Sequence, residues 1–266
     1  MGYFGIIRVV FDFNMARVIS VVNQKGGVGK TTTAINLASY LADEGQRVLV
    51  IDIDPQGNAS SGLGLDLQKI DRGLYEVLVE PETKISQVLK SHNKNLHILP
   101  STPDLAGAAV DLVSQVNREF ILRENLKEVI DLYDFILIDN PPSLGLLTIN
   151  GLVAANEVLI PVQCEYYALE GLGQLLNTIN LIKEHLQPDL KILGAVMTMH
   201  DSRNKLSQAV FAELYKHFPN RIFRSVIPRN VKLAEAPSYG KTIKDYDSTS
   251  AGAKAYRRLA QEILSN

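Results

Sequence analysis

A short stretch of glycines, lysines and threonines near the start of the chain has the composition of a phosphate-binding loop. It follows an apolar run at 18–22 and precedes helical spacing at 31–44. Closely spaced glycines let backbone N–H groups turn toward an anion, and the first turn of a helix adds its own N–H groups and dipole. In such a loop Lys30 reaches the β- and γ-phosphates of a nucleoside triphosphate, and the Thr31 hydroxyl binds Mg²⁺. The predicted phosphate-binding residues are Lys25, Gly26, Gly27, Val28, Gly29, Lys30, Thr31 and Thr32.

The loop departs from the common pattern, in which a glycine stands five residues before the final Gly-Lys pair. Gln24 occupies that first glycine position, and a second lysine, Lys25, stands at the loop entrance. A dinucleotide-binding loop is disfavoured because Thr32 replaces its third glycine and Lys30 suits a triphosphate better. The structural alternative, a glycine-rich turn with exposed lysines, leaves the preceding strand and the following helix unexplained.

Two acidic residues follow predicted strands at the edge of the sheet where ligands gather. In open parallel sheets this edge is formed by the carboxyl ends of the strands. Asp139 follows the apolar run at 135–138 and is placed to hold the water shell of Mg²⁺. Asp54 follows the run at 48–53 and is near enough to orient an attacking water molecule. A strand-end cap or a surface ion pair is the alternative for each, and it is strongest for Asp52.

Short β-branched apolar runs recur along the chain, each followed by a helical pattern. Continuous runs of this kind are typical of strands buried on both faces of a parallel sheet. The runs lie at 18–22, 48–53, 96–99, 135–138, 158–162, 192–197 and 222–227, and helical spacing is found at 31–44, 170–185, 202–218 and 251–264. Residues 15–266 are therefore predicted to form one α/β domain, a doubly wound, mainly parallel sheet with helices on both faces. Residues 1–14 are predicted to be an N-terminal extension, either an upstream start or a loosely packed arm, with contact to a membrane or partner as the alternative.

Composition excludes several classes of protein. The 266 residues are 46% apolar and 21% charged, which excludes wholesale disorder. The single cysteine, Cys164, excludes disulfide frameworks and cysteine-held metal clusters within one subunit. No apolar run reaches the roughly 18 residues of a membrane span, and no signal peptide is recognisable, so we expect a cytoplasmic protein. The net charge is −2, yet residues 203–258 hold 12 Lys and Arg against 4 Asp and Glu.

Five segments together give the chain a close resemblance to the ParA/Soj family of chromosome- and plasmid-partitioning ATPases, within the MinD-like group of P-loop ATPases. The segments are KGGVGKTTT at 25–33, DPQGNASSGLG at 54–64, IDNPPSLGLLTIN at 138–150, PVQCEYYALEGL at 161–172 and VIPRNVKLAEAPSYGK at 226–241. The loop marks the wider group, and the last three segments look specific for the Soj-like branch. Two positions depart from the family pattern: Asn140 replaces a small or sulfur-bearing residue, and Gly151 replaces an alanine.

The resemblance implies an ATPase that uses ATP and Mg²⁺ and forms an ATP-dependent homodimer. In proteins of this kind the signature lysine, here Lys25, crosses to the phosphates bound by the partner subunit. Two lysines on one developing charge would stabilise the transition state electrostatically. Carried over onto this chain, the catalytic residues are Lys25, Lys30 and Asp54, the metal-binding residues are Thr31 and Asp139, and the adenine contacts are Pro228 and Asn230.

The resemblance also implies that the ATP-bound dimer binds double-stranded DNA nonspecifically and that a ParB-like centromere-binding protein stimulates hydrolysis. The basic stretch at 203–258 lacks a base-reading signature, which agrees with contacts to phosphates alone. The DNA contacts of the family fall on Arg203 and Lys232, and Arg229 and Lys241 are predicted as further contacts. Lysine at 232 keeps the charge but lacks the bidentate fork of arginine. We therefore expect the protein at the nucleoid.

Two other functions fit part of the sequence. A membrane-surface ATPase of the MinD kind needs a C-terminal amphipathic helix with a bulky apolar face. Residues 251–264 look instead like a packed closing helix, so no stable membrane association is expected. A metabolic P-loop enzyme would need two cluster cysteines per subunit, as in a reductase component, or the acceptor pocket of an amide ligase. The sequence holds one cysteine and indicates no such pocket.

Overall fold

One mostly parallel sheet runs through the protein. A computed structural model describes residues 16–164, 171–201, 214–216, 218 and 221–265. The strands of this part of the chain are β1 (Arg17–Val21), β2 (Val48–Asp52), β3 (Lys90–Asn93), β4 (Leu96–Leu99), β5 (Phe135–Asp139), β6 (Glu157–Gln163) and β7 (Lys191–Thr198). Their order in the sheet is β3-β4-β2-β5-β1-β6-β7. Neighbouring strands are parallel except β3, which pairs with β4 in antiparallel fashion.

Helices connect the strands and cover both faces of the sheet. In the described ranges they are α1 (Lys30–Asp43), α2 (Asn58–Gly62), α3 (Leu74–Val79), α4 (Ile85–Val88), α5 (Leu105–Asp111), α6 (Ile121–Leu126), α7 (Leu146–Val153), α8 (Leu172–His185), α9 (Val231–Glu235), α10 (Ile243–Asp247) and α11 (Ala251–Leu264). Short 3₁₀ helices lie at Leu67–Lys69, Leu112–Ser114, Ile130–Leu132 and Ala236–Tyr239. None of the helices described is long and apolar enough to cross a membrane.

The apolar strands divide their side chains between two cores. In β5, Ile136 and Ile138 belong to one core, whereas Phe135 and Leu137 belong to the other. The first core is closed by helices α3 to α8, and the second by α1, α2 and α9 to α11. Successive strand residues point to opposite faces, so a strand covered on both faces is apolar throughout. The predicted doubly wound α/β fold is confirmed.

Two elements differ from the sequence prediction. Strand β3 has the sequence KSHN and carries no apolar run. It lies at the edge of the sheet and pairs with β4 alone, in antiparallel fashion, so it is not buried on both faces. The run at 222–227 is not a strand, although it lies beside β7 and makes an isolated bridge from Ile222 to Ala195. The backbone N–H groups of Arg224 and Ser225 bond instead to the Glu262 carboxylate, at 2.8 and 3.0 Å. The predicted extension at 1–14 and most of the predicted helix at 202–218 lie outside the described residues.

The two departures from the family pattern, Asn140 and Gly151, lie against each other. The Asn140 amide nitrogen donates to Ser20 Oγ at 2.8 Å and to the Val21 carbonyl at 3.0 Å, which ties the end of β5 to β1. A Cβ atom at Gly151, on α7, would lie 2.3 Å from Asn140 Oδ1 and 3.3 Å from Ile138 Cγ2. The absence of a side chain at Gly151 therefore provides the space that the larger side chain at 140 requires.

Gly151→Ala should destabilise the protein by about 1–3 kcal/mol, the usual cost of overpacking a core. The same Gly151→Ala change should cost much less when it is made in an Asn140→Ser background, because serine leaves room for the methyl group. Urea unfolding followed by circular dichroism measures both free energies of unfolding. Gly173→Ala is the matched control, since a Cβ atom at this position of α8 would meet nothing within 4 Å. A Gly151→Ala variant as stable as Gly173→Ala would contradict the interpretation.

Candidate nucleotide-binding site

The glycine loop connects β1 to α1 and adopts a conformation that two of its glycines make possible. Gly27 and Gly29 have φ angles of +73° and +88°, a left-handed region that residues with a Cβ atom rarely adopt. The Gly29 carbonyl accepts the Thr33 N–H at 2.9 Å, the first turn of α1. The N-terminus of a 14-residue helix therefore points into the loop, as an anion site requires.

Neighbouring strands hold the loop in place. The Asn23 amide donates to the Pro161 carbonyl on β6 at 2.8 Å, and its oxygen accepts the Lys25 N–H at 3.0 Å. On the other side, the Thr198 hydroxyl at the end of β7 donates to the Val28 carbonyl at 2.7 Å. One side chain of the loop itself and one from β7 thus fix the backbone whose N–H groups would face phosphates.

Lys30 is buried inside the loop. Its ammonium group lies 3.2 Å from the Lys25 carbonyl, and the residue is only 7% exposed. Burial lowers the pKa of Lys30 below its ordinary value, while the carboxylates of Asp139 and Asp54 oppose this shift. Lys25 itself is half-buried at the entrance of the loop.

Two carboxyl groups lie side by side at the edge of the sheet, Asp139 on β5 and Asp52 on β2, which are register partners. Asp52 accepts the N–H and the hydroxyl of Ser60 at 2.8 and 2.7 Å, whereas burial raises its pKa to about 7. Both oxygens of Asp139 are buried without a hydrogen-bond partner among the described residues. Burial and then the charge of Asp52 raise the pKa of Asp139 well above its ordinary value.

Asp54 lies two residues beyond β2, where the chain turns toward α2. The residue is 6% exposed, and its Oδ1 accepts the Gln56 N–H at 3.0 Å. This bond fixes the carboxyl group as the cap of the turn, which is the structural alternative expected from the sequence. The carboxyl group nevertheless lines the same cleft as the glycine loop. Both roles are compatible, because the bond from Gln56 uses one oxygen.

Two adjoining cavities bring the predicted nucleotide residues together. A cleft of about 420 Å³ is lined by Gly26, Gly27, Gly29, Lys30, Thr31, Thr32, Asp54 and Pro142, among others. A pocket of about 220 Å³ is lined by Pro228, Arg229 and Asn230. Gly29, Thr32 and Met199 line both cavities. The predicted phosphate and adenine contacts are therefore neighbours in space, although about 200 residues separate them in sequence.

Sequence reasoning missed Thr198, which lines the smaller pocket, and Met199, which lines both cavities. Met199 has a φ angle of +52°, an uncommon conformation for a residue with a side chain. Both residues stand at the carboxyl end of β7, the same edge that identified Asp54 and Asp139. The rule that ligands gather at this edge would have found them had it been applied to every predicted strand.

The described residues among the predicted DNA contacts are exposed. They are Arg229, Lys232 and Lys241, and Arg203 lies outside the described residues. Lys232 Nζ lies 2.9 Å from the Glu235 carboxylate and 5.6 Å from the centre of the Tyr246 ring. Of the three described contacts, Arg229 also lines the nucleotide pocket.

Comparison with known proteins places the chain among nucleotide-dependent proteins. Residues 16–192 match a family model described as an AAA domain. The chain is 51% identical over 252 residues to the sporulation initiation inhibitor protein Soj of Bacillus subtilis, covering 95% of this chain and 100% of that protein. It is 52% identical over 248 residues to the chromosome-partitioning ATPase Soj of Thermus thermophilus, covering 93% and 95%.

A solved structure has the same fold with ligands bound. It is a cobyrinic acid a,c-diamide synthase from Mycobacterium smegmatis, with a bound ATP analogue and magnesium. The TM-score is 0.85 at 38% identity, and the alignment covers 94% of each chain. Nucleotide and magnesium are thus bound by a relative that shares this architecture.

Thr198→Val should weaken the affinity for Mg·ATP about fivefold without unfolding the protein. Valine has the shape of threonine but leaves the buried Val28 carbonyl unpaired, at a cost of about 1 kcal/mol. Titration with a fluorescent ATP analogue measures the change. Thr178→Val is the control, because that hydroxyl bonds to the Gln174 carbonyl on the surface of α8 in the same way. Equal affinities for the two variants would contradict a role of Thr198 in holding the loop.

Proposed function

The chain belongs to the ParA/Soj family of ATPases, and we propose that it uses ATP hydrolysis to drive the partitioning of chromosomal or plasmid DNA. The observation that carries the proposal is the convergence of the glycine loop, Lys30 and Asp54 on one cleft. A buried cation and a carboxylate that can orient water, both beside an anion cradle, are what phosphoryl transfer to water needs. The exposed basic residues supply the second half of the proposal, a surface for DNA.

Thr31 and Asp139 are the residues that would hold Mg²⁺. The fit rests on the two buried oxygens of Asp139, which lack hydrogen-bond partners in the described structure. A buried carboxyl group in this state is costly unless a cation or a proton compensates it. Thr31 adjoins it in the first turn of α1 and opposes the rise of its pKa. When bound, Mg²⁺ neutralises charge on the β- and γ-phosphates.

Asp54 is the residue we assign to the attacking water. It lines the cleft, and the bond from Gln56 leaves its second oxygen for a further hydrogen bond. A carboxylate held in this way orients water without contributing to phosphate affinity. Lys30, by contrast, holds the phosphates themselves, because its buried ammonium lies within the loop.

Lys25 is proposed to act across a homodimer. Its carbonyl and N–H groups are committed to Lys30 and Asn23, so the backbone at the loop entrance is fixed. Lys30 already serves the phosphates of its own subunit. A second cation that reaches the partner's phosphates would make dimerisation a condition of hydrolysis. A ParB-like partner would then act on this dimer to stimulate hydrolysis and release DNA.

DNA is proposed to bind to the exposed basic surface of residues 203–258 in the dimer. Arg229 and Lys232 stand on either side of Asn230, whose side chain caps α9 by accepting the Lys232 N–H. Arg229 also lines the pocket assigned to adenine. The DNA-facing and nucleotide-facing residues therefore share one short segment, which supports a link between ATP and DNA binding.

The membrane-surface alternative is disfavoured by the packing of α11. Its apolar side chains Tyr256, Leu259 and Ile263 are at most 1% exposed and belong to the core on that face of the sheet. A helix that binds a membrane surface needs this face free.

The amide-ligase alternative is raised by the name of the solved relative from Mycobacterium smegmatis. Release of ammonia from glutamine by a cysteine nucleophile requires a reactive thiolate. Cys164, the only cysteine in the sequence, is buried, and burial raises its pKa to about 11. Cys164 therefore does not have the environment of such a nucleophile.

Mg·ATP should raise the affinity for duplex DNA over that measured with ADP or without nucleotide, because a dimer doubles the phosphate contacts on one body. Lys232→Ala should weaken binding to two unrelated duplexes equally and flatten the log–log salt dependence by about 0.9 for each phosphate that is no longer neutralised. Salt-titrated fluorescence anisotropy measures both effects. Lys69→Ala is the control, since Lys69 forms the same i,i+3 ion pair, with Asp66, outside the basic stretch. Equal affinity in all nucleotide states would refute the proposal.

Substitution of each of the two loop lysines should impair a different step. Lys30→Ala should abolish ATP binding, because the phosphates lose the buried ammonium of their own subunit. Lys25→Ala should bind ATP but neither dimerise stably nor hydrolyse it, because its target lies in the partner. Nucleotide titration, light scattering and phosphate release separate these outcomes. A Lys25→Ala variant that dimerises and turns over normally would exclude the role across subunits.

A further inference from the structure

Two segments that carry different functions touch through their backbones. The Asp54 segment (residues 54–64) ends at Gly64, and the basic segment (residues 228–247) passes it at Gly240. A Cβ atom at Gly240 would lie 2.7 Å from Gly64 Cα, and one at Gly64 would lie 2.9 Å from the Gly240 carbonyl oxygen. Both glycines are left-handed, with φ angles of +87° at Gly64 and +61° at Gly240. The two backbones are in direct contact here, so a shift of one is felt by the other.

A single imidazole bridges the same two segments. His92, on the edge strand β3, places Nδ1 3.0 Å from the Leu63 carbonyl and Nε2 3.7 Å from Asp245 Oδ2 on α10. The contact with Asp245 raises the pKa of His92, and burial and the nearby Lys244 oppose the rise. Lys244 is itself paired with Asp43 on α1. His92 thus contacts the end of the Asp54 segment and the last helix of the basic segment.

Both segments also form walls of the nucleotide cleft. Asp54 and Ser61 line it from the first segment, and Pro237 lines it from the second. Lys232 and Lys241, the predicted DNA contacts, lie five and four residues from Pro237. A displacement of the cleft wall at Pro237 can therefore be transmitted through a few residues to Lys232 and Lys241.

We propose that His92 is a coupling residue that ties the Asp54 segment to the basic segment, so that the nucleotide state of the cleft sets the placement of Lys232 and Lys241. His92 touches neither the cleft nor the predicted DNA contacts, and it acts through Leu63 and Asp245. The part of this inference that concerns DNA rests on the proposed function. The tie between the segments is a property of the fold and can be tested without DNA.

The first test compares duplex affinity with ADP and with a non-hydrolysable ATP analogue. In His92→Gln and in Asp245→Asn the ratio of the two dissociation constants should fall about threefold, the scale of a partly exposed ion pair. Affinity for the ATP analogue should stay unchanged. The double variant should lose no more than His92→Gln alone, because both changes affect the same contact between His92 and Asp245. His97→Gln is the matched control: His97 lies in the same hairpin, and its Nδ1 is 2.8 Å from the Tyr133 hydroxyl.

The second test follows hydrogen exchange of the backbone amides at 242–247. These residues do not line either nucleotide cavity. The ATP analogue should change their exchange in the wild type and in His97→Gln, but not in His92→Gln. A response that persists in His92→Gln, or that is missing in the wild type, would overturn the coupling. If the exchange rates respond as expected but the protein does not bind DNA, the coupling through His92 is supported and the proposed function is refuted.

Discussion

Buried negative charge at the carboxyl edge of the sheet is the constraint on which the site depends. Asp139 and Asp52 are register partners on neighbouring strands and have no exposed surface. Ser60 stabilises Asp52 with two hydrogen bonds, whereas Asp139 has no such partner in the described structure. Two ionised carboxyl groups at this depth repel each other, so a proton or a nearby positive charge must compensate them. Lys30 supplies part of this charge, and the proposed Mg²⁺ would supply more.

The conformation of the glycine loop is related to the need for positive charge beside these carboxyl groups. Lys30 can reach the carboxyl groups only if α1 begins directly beside them, and the left-handed Gly27 and Gly29 make so sharp an entry possible. The same turn aims backbone N–H groups at the space in front of the carboxyl groups. Asn23 and Thr198 then lock the loop to β6 and β7. The same conformation of the loop therefore places Lys30 near the buried carboxyl groups and turns N–H groups toward the space where an anion would bind.

Local features of the sequence predicted most of the fold. The glycine loop, the apolar strands and the helix at 251–264 each carry their signal within a few consecutive residues, and α11 spans that predicted range. The two predictions that the structure corrected have a different cause. Strand β3 is polar, and the run at 222–227 has the apolar pattern of a strand, but Glu262 takes two of its N–H groups. Both outcomes depend on partners distant in the chain, which propensity and periodicity do not contain. The contacts of His92 likewise join residues that are distant in the chain, whereas Thr198 carries a local signal, its place at the end of a predicted strand.

The contact between Asn140 and Gly151 also constrains how this chain and its relatives can diverge. An alanine at 151 meets the Asn140 side chain, whereas a small residue at 140 leaves position 151 open to either choice. Starting from Asn140 and Gly151, an exchange of both residues therefore avoids the clash when position 140 changes first. In the opposite direction, the clash is avoided when position 151 changes first. A chimera that joins Asn140 of this chain to an α7 with alanine at 151 would carry the obstruction.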